Sequence, residues 1–219
     1  MGEGRKVVLC YGDSNTWGQR PGMEMRRWPS GTRWPGVMAG ELGAGYRIIE
    51  EGLCGRTSAF PDPLEPAGVN RNGLATLGAI LDSHKPLDLV IIALGVNDLK
   101  ARFSLPPQDI AAGVELLVLA AANPRFGSED ALRPPAVLIV CPPEVLEIPA
   151  AFGPMFRGAA ETSKALRPCF RQMAARNKAA IMYAGDLVRS DPLDGIHWSA
   201  ESHAALGRAA AKRVVEILG

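Results

Sequence analysis

Five short apolar runs, each followed by residues at helical spacing, organise the chain. Lys6 to Tyr11, Tyr46 to Glu50, Leu87 to Leu94, Ala136 to Cys141 and Ala179 to Tyr183 read as strands. The third is almost wholly apolar, as a central parallel strand covered on both faces should be. Helical patterns fall near 34–43, 70–84, 107–122, 157–176 and 199–218. In the last, Ser199 suits the cap, Glu201 the first turn, and Leu206, Ala210, Val214 and Ile217 share one face. Strands alternating with helices imply right-handed βαβ units. The expected fold is therefore α/β, a three-layer α/β/α sandwich around a five-stranded parallel sheet, as one domain over residues 1–219. Proline-rich stretches (Pro61 to Pro66, Pro106-Pro107, Pro142-Pro143) fall between elements, where rigid loops can shape a pocket. Ligands of such sheets bind beyond the carboxyl ends of the strands, so any chemistry should lie just past each run.

Composition narrows the possibilities. The 219 residues are 47% hydrophobic, enough for a sizeable core, and a net charge of +1 offers no field for nucleic acid. The N-terminus enters the first strand without the h-region of a secretory signal, and Lys6 disfavours myristoylation after Met1-Gly2. No apolar run approaches the roughly 18 residues of a membrane span. Cys10, Cys54, Cys141 and Cys169 are scattered, with no C-x-x-C pair, so free thiols in a reducing cytoplasm and no metal site are expected. Only His84, His197 and His203 can supply an imidazole.

The segments after the strands carry the chemistry-bearing residues. Gly12-Asp13-Ser14 follows the first strand, where a strand-to-helix turn holds a serine exposed near free backbone N–H groups. The same residues also fit an ordinary helix cap. Gly52-Leu53-Cys54-Gly55-Arg56-Thr57 follows the second, and a glycine there lets the backbone approach a ligand and donate its N–H. Cys54 has no basic neighbour but Arg56 and reads as a small packed residue. Asn97, in Gly95-Val96-Asn97-Asp98, can donate a side-chain N–H to a developing oxyanion or close an Asx-turn. Asp98 suits bracing that loop as well as chemistry. Before the last helix, Asp194-Gly195-Ile196-His197 sets a carboxylate three residues from an imidazole, able to orient the ring for base catalysis. His84 and His203, in or at the end of helices, read as surface or structural. Each segment has an ordinary explanation; their co-occurrence in separate rim loops does not.

Taken together, these four blocks resemble the SGNH, or GDSL-type, hydrolase superfamily over nearly the whole chain. The resemblance implies a doubly wound, flavodoxin-like fold, with Ser14 as nucleophile, Asp194 and His197 as acid and base, and Ser14, Gly55 and Asn97 as oxyanion hole. Gly12 to Gly18, Glu50 to Thr57, Asn97 to Lys100 and Asp194 to His197 are more closely similar to the arylesterase/acyltransferase subgroup typified by a mycobacterial enzyme. Gly55 keeps the general family residue where that enzyme has Ala. Subgroup resemblance further implies that Trp17, Lys100, Phe152, Phe156 and Ile196 line a narrow acyl or alcohol pocket, and that the protein is a homo-oligomer such as an octamer. Phe152 and Phe156 lie in Pro149-Ala-Ala-Phe-Gly-Pro-Met-Phe, too broken for a core helix and suited to a lid or subunit contact.

The expected activity is hydrolysis of small, short-acyl esters through an acyl-enzyme, with transfer to alcohols or peroxide as a further outcome and no cofactor. Carbohydrate acetylesterase, lysophospholipase and thioesterase are the enzymatic alternatives, and a catalytically silent flavodoxin-like binding module the non-enzymatic one. A nucleotide site is disfavoured, because Gly12 to Gly18 fits neither a P-loop nor G-x-G-x-x-G.

Overall fold

The computed structural model describes residues 4–22, 26–64, 68–128, 133–149 and 151–219. The Met1-Gly2 start and the Pro66 end of the first proline-rich stretch lie outside them. Five strands, β1 (Lys6–Gly12), β2 (Tyr46–Gly52), β3 (Leu89–Ala93), β4 (Ala136–Cys141) and β5 (Ala180–Tyr183), pair in parallel in the order β2-β1-β3-β4-β5. Helices α1 (Ser14–Trp17), α2 (Trp34–Leu42), α3 (Gly73–His84), α4 (Pro107–Ala121), α5 (Ala159–Lys164), α6 (Leu166–Arg176) and α7 (Ala200–Leu218) connect and cover them.

Period-two alternation along the strands feeds two cores. Val8 and Cys10 of β1, Leu89 and Ile91 of β3, and Leu138 and Val140 of β4 face α2 and α7 through Trp34, Met38, Leu206, Ala210 and Val214. The intervening Leu9, Tyr11, Val90, Ile92, Val137 and Ile139 meet Leu77, Leu81, Ile110, Val114, Leu117, Phe170 and Met173 of α3, α4 and α6. Each such buried side chain contributes about 1.5–3 kcal/mol of transfer free energy, which holds three layers together from a chain of modest aromatic content. The sandwich matches the sequence reading.

Element ends differ in informative ways. The helix expected over 157–176 is two, α5 and α6, broken at Ala165. Pro168 is the cause: its ring clashes with the carbonyl four residues back, at Lys164, and it has no N–H to bond there. Helix α3 starts at Gly73 rather than 70, because the Asn72 side chain caps it by accepting the Ala75 N–H at 3.2 Å. Helix α7 is capped as expected, the Ser199 hydroxyl accepting the Ser202 N–H at 3.3 Å.

This strand order reverses direction between β1 and β3, and the chain leaves those two strands on opposite sides, opening a crevice at their carboxyl ends. Residues Ser14 and Asn97 flank that switch point. No helix among the described residues is long and apolar enough to cross a membrane.

Candidate active site

Ser14 is the first residue of α1, held by a cap from Asp13, whose carboxylate accepts the Asn15 N–H at 2.9 Å. His197 reaches it from the loop before α7. Its Nε2 lies 2.9 Å from Ser14 Oγ, and its Nδ1 lies 2.8 Å from Asp194 Oδ2. A carboxylate can only accept, so Nδ1 carries the proton and Nε2 is left to accept the Ser14 O–H. All three side chains are buried.

Asp194 is fixed from four directions. Its Oδ1 accepts the N–H groups of Ile196 and His197, both at 2.9 Å, and Oδ2 accepts the Gly22 N–H at 2.8 Å besides the imidazole. Burial alone would raise this carboxyl, but the His197 hydrogen bond and charge, with the backbone donors, hold it at about 2. It therefore stays a carboxylate near neutral pH. Gly195 makes this tight turn feasible: its φ is +81°, and a Cβ there would meet the Leu146 carbonyl oxygen at 2.0 Å.

The loops after β2 and β3 complete the rim. Gly55 also has φ +81°, turning the backbone at the edge of the pocket. Arg56 pins this loop under the site by donating to the carbonyls of Gly12, at 2.9 Å, and Glu51, while its guanidinium lies 4.1 Å over the Tyr11 ring. Asp98 is the brace between the two loops. It accepts the Ser58 N–H at 3.0 Å and the Ser58 O–H at 2.6 Å, and burial pushes it up to about 6. Asn97, by contrast, leaves its buried Nδ2 donor without a protein acceptor. An unmet buried donor costs about 1–3 kcal/mol, a cost retained when a ligand is to supply the acceptor. Cys54 also reaches the pocket, but burial, and then the Asp13 charge, push its thiol up to about 11, which removes it as a nucleophile near neutral pH.

Ser14, Gly55, Asn97 and His197 border one cavity of about 200 Å³. Lys100, Phe152, Phe156 and Ile196 line it with them, and the Phe152 ring stands edge-on to the imidazole, centroids 5.7 Å apart. The ammonium of Lys100 is 2.8 Å from Asp62 in a buried pair that Arg102 joins at 2.9 Å. Trp17 is placed elsewhere: it does not line this cavity but lies under the Arg27 guanidinium, 5.1 Å from its ring centre. Residues three apart on a helix share a face, so the turn alone does not separate them; Arg27 takes Trp17 up, stacking on its ring and donating from Nε to its carbonyl at 2.6 Å. Gln19, Arg71 and Met155 line the cavity without any sequence pattern having marked them. Larger hollows of about 310 and 440 Å³ occur elsewhere, without a nucleophile next to a base. No cluster of potential metal ligands occurs among the described residues.

Comparison with known proteins gives the family and the fold. The model of the GDSL-like lipase/acylhydrolase family matches residues 10–205. An aryl esterase from M. smegmatis is similar over 97% of this chain and 100% of its own, at 38% identity and a TM-score of 0.91. A carbohydrate acetylesterase from Sinorhizobium meliloti is similar over 97% and 99%, at 41% identity and a TM-score of 0.88. A search of curated proteins finds no match.

Proposed function

The chain belongs to the GDSL-like lipase/acylhydrolase family and is a carboxylic ester hydrolase, and from that premise we propose that it cleaves small, short-acyl esters through an acyl-enzyme on Ser14. The observation that carries the proposal is the unbroken chain of hydrogen bonds from Asp194 through His197 to Ser14, opening beside the unmet Asn97 donor. In the first step His197 Nε2 takes the Ser14 proton as Oγ attacks the ester carbonyl carbon. The tetrahedral oxyanion is held by the backbone N–H groups of Ser14 and Gly55 and the Asn97 amide. Collapse expels the alcohol, which takes its proton from His197, and a water activated by the same ring then releases the acid. Asp194 stabilises the imidazolium throughout.

A cavity of about 200 Å³, walled on one side by Phe152, Met155, Phe156 and Ile196, favours acetyl to butyryl groups over long chains. The same apolar wall limits water, and this supports acyl transfer to an alcohol or peroxide as a competing outcome. The chain acts as a single domain, in the cytoplasm, as a homo-oligomer in which the 151–158 turns contribute to a subunit contact. A second reading, removal of acetyl groups from carbohydrate, is favoured by the polar wall of Gln19, Arg71 and Lys100 and by the Sinorhizobium relative. A p-nitrophenyl ester series from acetate to palmitate, with acetylated sugars alongside and product analysis in added alcohol, tests these readings. The expected optimum is at two to four acyl carbons, as about 200 Å³ allows; an optimum on long chains would reject the short-acyl assignment.

A further inference from the structure

Behind the nucleophile, between Asn15 and Trp198, lies a second and much smaller cavity. Its volume is about 10 Å³, the lower limit for holding one water molecule. Two buried polar atoms of its lining residues have no partner: the Asn15 Oδ1 and the Trp198 Nε1. Their roles are fixed. The Asn15 Nδ2 donates to the Ile196 carbonyl at 3.3 Å, which can only accept, so Oδ1 is the oxygen left over. Indole N–H can only donate. Asp13 also lines the space, buried, with Oδ1 taken by the Asn15 N–H. The remaining lining residues are apolar.

We propose that one water molecule is bound here as a fixed part of the site, accepting from Trp198 Nε1–H and donating to Asn15 Oδ1 and Asp13, and that Asn15 and Trp198 are thereby positioning residues. An unmet donor and an unmet acceptor on residues that line one small cavity can both be met by a group that accepts and donates, and water fits the volume. Three partners is the usual number for a buried water. Asn15 follows Ser14 directly and Trp198 follows His197 directly, so the bridge lies one residue behind each reacting side chain. Together with the Asn15–Ile196 bond, it ties the nucleophile loop to the histidine loop across 183 residues of sequence. Solvation by this water also relieves the buried Asp13, whose carboxyl burial raises to about 6.

The location of the water stands independently of function, whereas its effect on rate rests on the serine mechanism above. A crystal structure at high resolution should show a water within about 3.2 Å of both Trp198 Nε1 and Asn15 Oδ1, absent in Trp198→Phe and in Asn15→Leu. Each single variant should lower kcat about 3–10-fold, the value of one hydrogen bond, with KM within about twofold of the parent. Because both break the same bridge, the double variant should be no slower than the slower single one. A dry cavity in the parent, or effects on kcat that multiply, would overturn the proposal. Unchanged kcat in both variants would overturn the positioning role. A parent protein inert on every ester would instead reject the hydrolase mechanism, while the density still decides the water.

Discussion

Two imidazole–carboxylate pairs occur among the described residues, and only one of them also meets a serine hydroxyl. His197 and Asp194 lie 2.8 Å apart with side chains 4% and 2% exposed, and His84 and Glu51 lie 3.0 Å apart at 26% and 29%. By contact distance the pairs are nearly equal. At the end of α3, His84 meets Glu51 of β2 in partial contact with solvent, where such a pair contributes about 0–1 kcal/mol and touches no nucleophile. At the crevice, Asp194 is immobilised by three backbone N–H groups, and the far side of the imidazole meets a serine hydroxyl. Burial, a fixed carboxylate and a third group in line make the difference, and the pairing itself does not. His203, buried with Nδ1 accepting the Trp34 N–H at 3.3 Å and pushed down to about 3 by burial, stays neutral and structural.

The largest effect should come from the group that only the crevice pair possesses. Ser14→Ala is expected to lower kcat on the order of 10⁵–10⁶-fold on a p-nitrophenyl ester, with the folded far-UV spectrum retained. Asp194→Asn should cost about 10⁴-fold by offering the wrong tautomer to the ring, whereas Glu51→Gln should leave kcat unchanged. A matching loss in Glu51→Gln would erase the contrast between the pairs. Asn97→Ala should lower kcat about 10²–10³-fold while KM and melting temperature move little, since the Nδ2 donor has no protein acceptor in the resting fold.

Acid titration sharpens the comparison further. Asp194 is depressed to about 2, so its contribution to stability is fully present above its ordinary range near 4 and is lost as pH falls from there towards 2. Equilibrium unfolding of Asp194→Asn should accordingly show a shallower loss of stability over that window than the parent. Asp13 and Asp98, both raised to about 6, act in the opposite sense: their charged forms weaken the fold as pH rises from about 4 to 6. The smallest effect belongs to His84→Gln, expected to change stability by less than about 0.5 kcal/mol and kcat not at all.

The order of the layers was legible in the sequence because short apolar runs and helical stretches alternate cleanly, and because parallel sheets have one preferred crossover hand. Ser14, Gly55, Asn97 and His197 could be placed on one rim for the same reason: each directly follows a strand or precedes a helix. What escaped depends on side-chain direction and long-range contact. Trp17 sits three residues past Ser14 and on the same helix face, yet a long-range stack with Arg27 takes up its ring. Gln19 and Arg71 come from loops with no periodicity, and the Gly22 N–H finds Asp194 across 172 residues. Pro168 was a readable signal for the break between α5 and α6, since its effect is purely local.

The most direct test of the account is covalent capture. Incubation with a small phosphonofluoridate, followed by peptide mass spectrometry, should give one adduct per chain, on Ser14, with activity lost in step. Labelling should disappear in Ser14→Ala and slow strongly in Asp194→Asn, while Glu51→Gln labels at the parent rate. An adduct on Cys54, or full inactivation with Ser14 unmodified, would contradict the assignment of the hydrogen-bonded chain from Asp194 to Ser14 as the working centre.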